Sequence, residues 1–175
     1  WAWGGGWLFQ LKDTVIGRPY VDFAGSGVVH AVGGWAGLAG AWVLGPRLGK
    51  YRSDGSPVAM PGHNLIIAAT GTFILALGWF GFNPGSSLGI SGGGNLRMAM
   101  TAVTTMLAGA SASVVAMTYA RMTIGKYDAG FMINGMLGGL VAITAPSAYV
   151  SPINAVIIGI IAALLACVAI EIGRA

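Results

Sequence analysis

The chain has 175 residues, 55% of them hydrophobic and only 8% charged, with a mean hydropathy of +0.76. A soluble domain carries about 25% charged residues, so this composition cannot build a water-facing surface; it excludes an ordinary cytosolic enzyme, a nucleic-acid binder and a disordered segment. The net charge of +4, from 9 Lys+Arg against 5 Asp+Glu, must sit at segment ends. The pI near 9.6 therefore reflects loops rather than a basic binding face. The single cysteine, Cys167, lies in an apolar run, which excludes a disulfide framework or a cysteine-rich metal site.

In chain order, Trp1 to Leu11 is an aromatic and glycine-rich run that looks like the tail of an earlier span. The chain as a whole reads as an internal piece of a larger bundle. A helix crossing a bilayer needs roughly 20 mostly apolar residues, and five later stretches qualify, at about 23–45, 64–82, 96–120, 129–145 and 152–172. Pro19, Pro46, Pro61, Pro84, Pro146 and Pro152 mark their edges, where a missing N–H does least harm. No strand alternation competes, so the expected fold is all-α, one transmembrane domain covering the whole chain. The 30 glycines suit close helix packing in lipid. Gly33, Gly37 and Ala41 make one stripe of small residues, and Gly135 with Gly139 makes another.

The loop charges alternate. Arg47, Lys50 and Arg52 follow the first span, and Arg121 and Lys126 follow the third. Arg97 alone follows the second, and no Lys or Arg follows the fourth. By the positive-inside rule the first span ends in the cytoplasm and residues 1–20 lie outside; Lys12 and Arg18 weaken the bias without reversing it.

An ionisable group inside a span is expensive to bury and marks a functional site by default. His30 is the one such group at mid-span. A neutral imidazole offers one donor and one lone pair, so it can line a water-poor path without carrying charge; the plainer reading is a core histidine bonded to a neighbouring helix. His63, beside Pro61 and Gly62 at a span entrance, suits capping or anchoring. Asp22 stands at the head of the first span, where a carboxylate accepts from the free N–H groups of the first turn; capping is its first expected job. At eight residues, about 12 Å along a helix, it forms no hydrogen-bonded dyad with His30, though it could attract a nearby cation. Trp79, Phe80 and Phe82, followed by Asn83-Pro84-Gly85-Ser86, gather aromatic faces at one span end. Such faces belong to interfacial belts and can also hold a small cation. With Trp3 on the same outer side, an aromatic cup leading to a neutral histidine would suit a small cation that can shed a proton.

Three stretches carry a family likeness. Asp22-Phe23-Ala24-Gly25-Ser26-Gly27-Val28-Val29-His30, running into Gly37-Leu38-Ala39-Gly40-Ala41, resembles the signature of the ammonium transporter, methylammonium permease and Rhesus family. So do Gly78-Trp79-Phe80-Gly81-Phe82-Asn83-Pro84-Gly85-Ser86 and the run from Asn134 to Ala145. Trp3-Gly4-Gly5-Gly6 resembles the motif ahead of the signature. The resemblance implies an eleven-helix fold with an inverted repeat, of which this chain would hold the fifth to ninth helices, assembled as a homotrimer with a pore in each subunit of the cell (inner or plasma) membrane. It implies Trp3 and Ser86 at an outer ammonium-recruiting site, with Asp22 beside it in a structural and electrostatic role. Phe82 would be a gate residue, Trp79 would line the pore below it, and His30 would be the first of two pore histidines. Thr144 matches a threonine near the outer vestibule. The second gate Phe and second histidine would lie outside this chain. The stretch from Trp3 to Asp22, with Lys12, Asp13 and Arg18 in it, is longer than the family often has.

The expected activity is ammonium transport, not enzymatic turnover, with ammonium or ammonia as substrate (methylammonium as an analogue) and no cofactor or metal. The lipid bilayer is the medium, and a cytosolic regulatory protein is a candidate partner. A sensor of ammonium on the same fold would keep every one of these motifs. A haem-carrying protein would need paired histidines within spans, and only His30 qualifies.

Overall fold

The computed structural model describes residues 2–13, 20–92 and 94–174; Trp1, Arg18 and Pro19 lie outside them, as do the side chains of Lys12, Asp13 and Arg174. The described residues are helical, with no β-strand beyond an isolated bridge between Tyr51 and Pro57. A short 3-10 turn, Trp3–Gly5, and a second, Phe9–Asp13, precede a π-helical turn, Ser26–Ala31, which runs directly into α1, Val32–Leu44. Then come α2 (Leu65–Phe82), a 3-10 turn (Pro84–Ser87), α3 (Gly94–Thr123), α4 (Ala129–Thr144) and α5 (Pro152–Arg174).

Among the described residues, four helical segments are long and apolar enough to cross a membrane: Ser26–Leu44, Leu65–Ser87, Gly94–Thr123 and Pro152–Gly173. The fourth expected span is shorter. α4 has 16 residues, about 24 Å of helix, because Asp128 caps its start and Pro146 follows its end. Side-chain caps also set the other boundaries: the Asn64 carboxamide accepts from Ile67 N–H at 3.0 Å to begin α2, and the Asp128 carboxylate accepts from Phe131 N–H at 3.0 Å to begin α4.

The core is a sheaf of α3, α4 and α5, with α2 leaning on α4 and the π-helical turn docked on α4. Its packing rests on three four-residue rows of mostly small side chains, all buried: Ala108, Ala112, Ala116 and Ala120 on α3; Phe131, Gly135, Gly139 and Ile143 on α4; Ala155, Gly159, Ala163 and Cys167 on α5. A Cβ built on Gly135 would sit 2.2 Å from the Ala116 methyl, and one on Gly159 would sit 2.3 Å from the Ala108 carbonyl oxygen. Rows of this kind let backbones approach closely where no water-exclusion force acts between helices. The Gly33, Gly37 and Ala41 row differs. Every residue of α1 is exposed, and nothing described lies within 4 Å of a Cβ on Gly33 or Gly37.

Candidate functional site: an outer cup and a histidine-lined groove

The site begins where the first span starts. Asp22 is buried, and its carboxylate gathers four backbone donors: Oδ1 accepts from Gly25 N–H and Ser26 N–H, both at 2.9 Å, and Oδ2 accepts from Gly27 N–H and Val28 N–H, both at 2.8 Å. These are the orphan donors that open any helix, all satisfied by one side chain. All four hydrogen-bond directions of the carboxylate are taken, which leaves its charge, and no free lone pair, to the surroundings. The field of that charge reaches outward: burial, and then the Asp22 charge, raise the phenol of Tyr20 above its ordinary value.

Gly25 makes the entry possible. Its φ of 113° belongs to the left-handed side, and a Cβ there would meet Val29 Cγ2 at 2.7 Å, so only glycine fits. The Gly25 carbonyl then accepts from both Val29 N–H and His30 N–H at 3.0 Å, the second bond spanning five residues, which is the π-helical register. A π turn re-aims the side chains beyond it and is frequent at functional sites; here it carries His30. The turn is pinned to the end of α4. Phe23 N–H and Ala24 N–H donate to the carbonyls of Ala145 and Thr144 at 3.0 and 3.2 Å, and the Ser26 hydroxyl donates to the Val141 carbonyl at 2.5 Å while accepting from Ala145 N–H at 2.7 Å.

Two hollows flank this turn. The outer one, about 370 Å³, is lined by Trp3, Phe23, Ser86 and Leu88. The Trp3 indole N–H donates to the Asp22 backbone carbonyl at 2.7 Å, which fixes the ring at the rim. The Ser86 hydroxyl donates to the Phe82 carbonyl at 2.8 Å, leaving its lone pairs to receive an N–H donor. The inner hollow, about 270 Å³, is lined by His30, Ile74, Leu75, Gly78, Trp79 and Phe82. The His30 ring stacks on Trp79, with centroids 5.2 Å apart and planes at 20°, and lies 5.5 Å from Phe82. Trp79 is held in turn by a 3.0 Å hydrogen bond from its indole N–H to the Thr144 hydroxyl, which donates to the Leu140 carbonyl at 2.6 Å. His30 Nε2 is shielded and has no hydrogen-bond partner among the described residues.

The site residues expected from sequence thus fall into two groups, Trp3 with Ser86 in the outer cup and His30 with Trp79 and Phe82 in the groove, with Asp22 beneath them as a saturated cap. Sequence reading did not place Phe23 in the cup or Ile74, Leu75 and Gly78 in the groove. The signal for the last three is there: with Trp79 and Phe82 they repeat at three- and four-residue spacing along one face of α2. Nothing local pointed to the Ser26 hydroxyl, whose partners are more than a hundred residues away. Among the described residues no cluster of three or more His, Cys, Asp or Glu could hold a metal ion.

Known proteins resemble this chain in sequence and fold. The profile described as the Ammonium Transporter Family matches residues 1–174. The chain is 53% identical over 169 residues to ammonium transporter Amt2 of Archaeoglobus fulgidus, covering 95% of this chain and 36% of that protein. It is 44% identical to ammonium transporter 1 member 3 of Solanum lycopersicum, covering 93% of this chain and 38% of that one. Among solved structures, a Sensor Amt Protein superposes with a TM-score of 0.86 at 42% identity, over 97% of this chain and 41% of that one. Mep2 of Candida albicans superposes with a TM-score of 0.77 at 34% identity, over 94% and 34%. The chain spans little more than a third of the length of the curated relatives it matches. Its helices, composition and matched profile make it part of a multi-pass membrane protein, and it belongs to the Ammonium Transporter Family.

Proposed function

We propose that the protein containing this chain moves ammonium across the cell membrane: the cation is recruited in the cup of Trp3, Phe23 and Ser86, and its nitrogen enters the groove past Phe82 without the extra proton. Aromatic faces hold a small desolvated cation by about 2 kcal/mol, and the Ser86 oxygen accepts one of its N–H groups. Beyond Phe82 the walls are apolar save for the imidazole of His30, so a charge there lacks the solvation it had in water. Ammonium can give its proton to His30 Nε2, which hands it on along the path while the neutral nitrogen crosses. Nitrogen and charge then travel apart; K+, of similar size, has no proton to give. That difference supplies selectivity without a size filter.

The observation that carries this reading is the shielded, unpartnered Nε2 of His30 against Trp79 and Phe82 in an apolar groove. A core histidine kept for packing would be hydrogen-bonded, whereas a relay needs a free nitrogen facing the path. The test is ammonium-evoked current in liposomes holding full-length protein. His30→Ala is expected to lower that current at least tenfold or to admit K+. Unchanged flux with unchanged K+ rejection would refute the role.

A second reading, an ammonium sensor, is favoured by the superposition on a Sensor Amt Protein. Ammonium binding retained without any flux in the unmodified full-length protein would decide for it. A homotrimer and a cytosolic regulatory protein remain part of the proposal, supported by family membership.

A further inference from the structure

The loop between α1 and α2 is ordered by its own bonds. α1 stops at Leu44 because Gly45 takes a φ of 70° and Pro46 follows. Arg47 to Lys50 then closes as a turn, with Lys50 N–H donating to the Arg47 carbonyl at 3.0 Å. A small hairpin follows: Val58 N–H donates to the Lys50 carbonyl at 2.7 Å and Arg52 N–H to the Ser56 carbonyl at 2.9 Å. The hairpin consumes two of the loop's charged side chains. The Asp54 carboxylate accepts from the Ser56 hydroxyl at 2.6 Å and its N–H at 2.9 Å, and Arg52 Nη1 donates to the same hydroxyl at 3.1 Å. The hydrogen bonds from Ser56 hold the Asp54 carboxyl below its ordinary value, so that carboxylate is ionised and occupied.

Arg47 and Lys50 are left over. Both line a hollow of about 420 Å³ with Gly45, Pro46, Tyr51 and Met60, and neither side chain forms an ion pair or hydrogen bond with a described residue. Two uncompensated cations and a phenol converge at one hollow directly beyond the end of a span, on the side that the loop charges assign to the cytoplasm. We infer that this hollow binds a phosphate-bearing anion, with Arg47 and Lys50 as its cationic ligands. Arg offers a planar fork suited to phosphate oxygens, and Lys a compact ammonium. Tyr51 adds a hydroxyl donor, and Met60 forms an apolar side. Since the hairpin fixes Lys50 and the turn fixes Arg47, little backbone freedom is lost when the anion arrives. The phosphate can be that of an anionic phospholipid of the inner leaflet, where each basic side chain adds about 1 kcal/mol of attraction, or that of a soluble anion.

Native mass spectrometry of the full-length protein, given equal phosphatidylglycerol and phosphatidylcholine of the same acyl chains, separates the sources when paired with equilibrium dialysis against inorganic phosphate. The expected result is at least a tenfold preference for phosphatidylglycerol, abolished in Arg47→Gln/Lys50→Gln and retained in Arg121→Gln, whose guanidinium is already engaged with the Gly125 carbonyl. Phosphate binding that the double variant abolishes, with no lipid preference, would support the site and assign it a soluble ligand. Binding of neither, or a preference that survives in the double variant, would overturn it.

Discussion

Four amides converging on Asp22 set a choice between two roles for a buried carboxylate in a membrane protein. A carboxylate that ligates a passing cation needs a free lone pair; Asp22 has each oxygen filled by two N–H groups. Hydrogen bonds to a charged acceptor contribute about 1.5–3 kcal/mol each and leave costly orphans when removed. Asp22→Ala is therefore expected to destabilise the full-length protein by about 3 kcal/mol or more, read as a fall in its thermal midpoint in detergent. Asp22→Asn retains one acceptor oxygen and should cost less than Asp22→Ala. If Asp22→Ala kept the midpoint yet abolished ammonium binding, direct recruitment would replace capping as its job. Capping was legible in the sequence, since an Asp just ahead of an apolar run is a start signal with a known mechanism. The π turn that follows was not, because it depends on bonds to Val141, Thr144 and Ala145 far along the chain.

Adjacent glycines on α4 separate sequence pattern from actual contact. A Cβ on Gly139 would lie 2.5 Å from the Ala112 methyl and 2.6 Å from the Ala108 carbonyl oxygen, which is backbone and cannot swing aside. One on Gly138 would press on the Ala166 methyl at 3.2 Å, which needs a shift of only a few tenths of an ångström, and would touch the Ala162 carbonyl oxygen at an ordinary 3.5 Å. Gly139→Ala should therefore wedge α3 from α4 and cost about 3 kcal/mol, while Gly138→Ala should cost under about 1 kcal/mol. Reversible unfolding of the two variants checks the order, and equal costs would refute the seam as described. The Gly135 and Gly139 row was visible in sequence, as was the Gly33, Gly37 and Ala41 row. Only the first meets a partner among the described residues. Small residues at four-residue spacing announce that something comes close, and say nothing of what.

At the scale of the whole molecule, tertiary bonds tie loop ends together on one face. The cup joins Trp3 and Phe23 to Ser86 beyond α2, Ala24 is bonded to Thr144 at the end of α4, and the Thr104 hydroxyl of α3 donates to the Ser147 carbonyl at 2.8 Å. The hairpin beyond α1 and the loop from Thr123 to Asp128 occupy the opposite helix ends. Arg47, Lys50, Arg52, Arg121 and Lys126 belong to that second set, and Arg97 to the first. Charge asymmetry of this kind orients a polytopic chain because cytoplasmic loops keep their Lys and Arg, so the cup is expected to face outward and the hairpin inward. Ser91 and Ser53 are exposed in the two opposing sets of loops, and the native Cys167 is fully buried. With every native cysteine of the full-length protein, Cys167 included, replaced by alanine, a membrane-impermeant maleimide is expected to label Ser91→Cys in intact cells. Ser53→Cys should label only after the membrane is opened. The reverse pattern would turn the molecule over, placing the aromatic cup on the cytoplasmic side, where a recruiting site for uptake would face the wrong compartment.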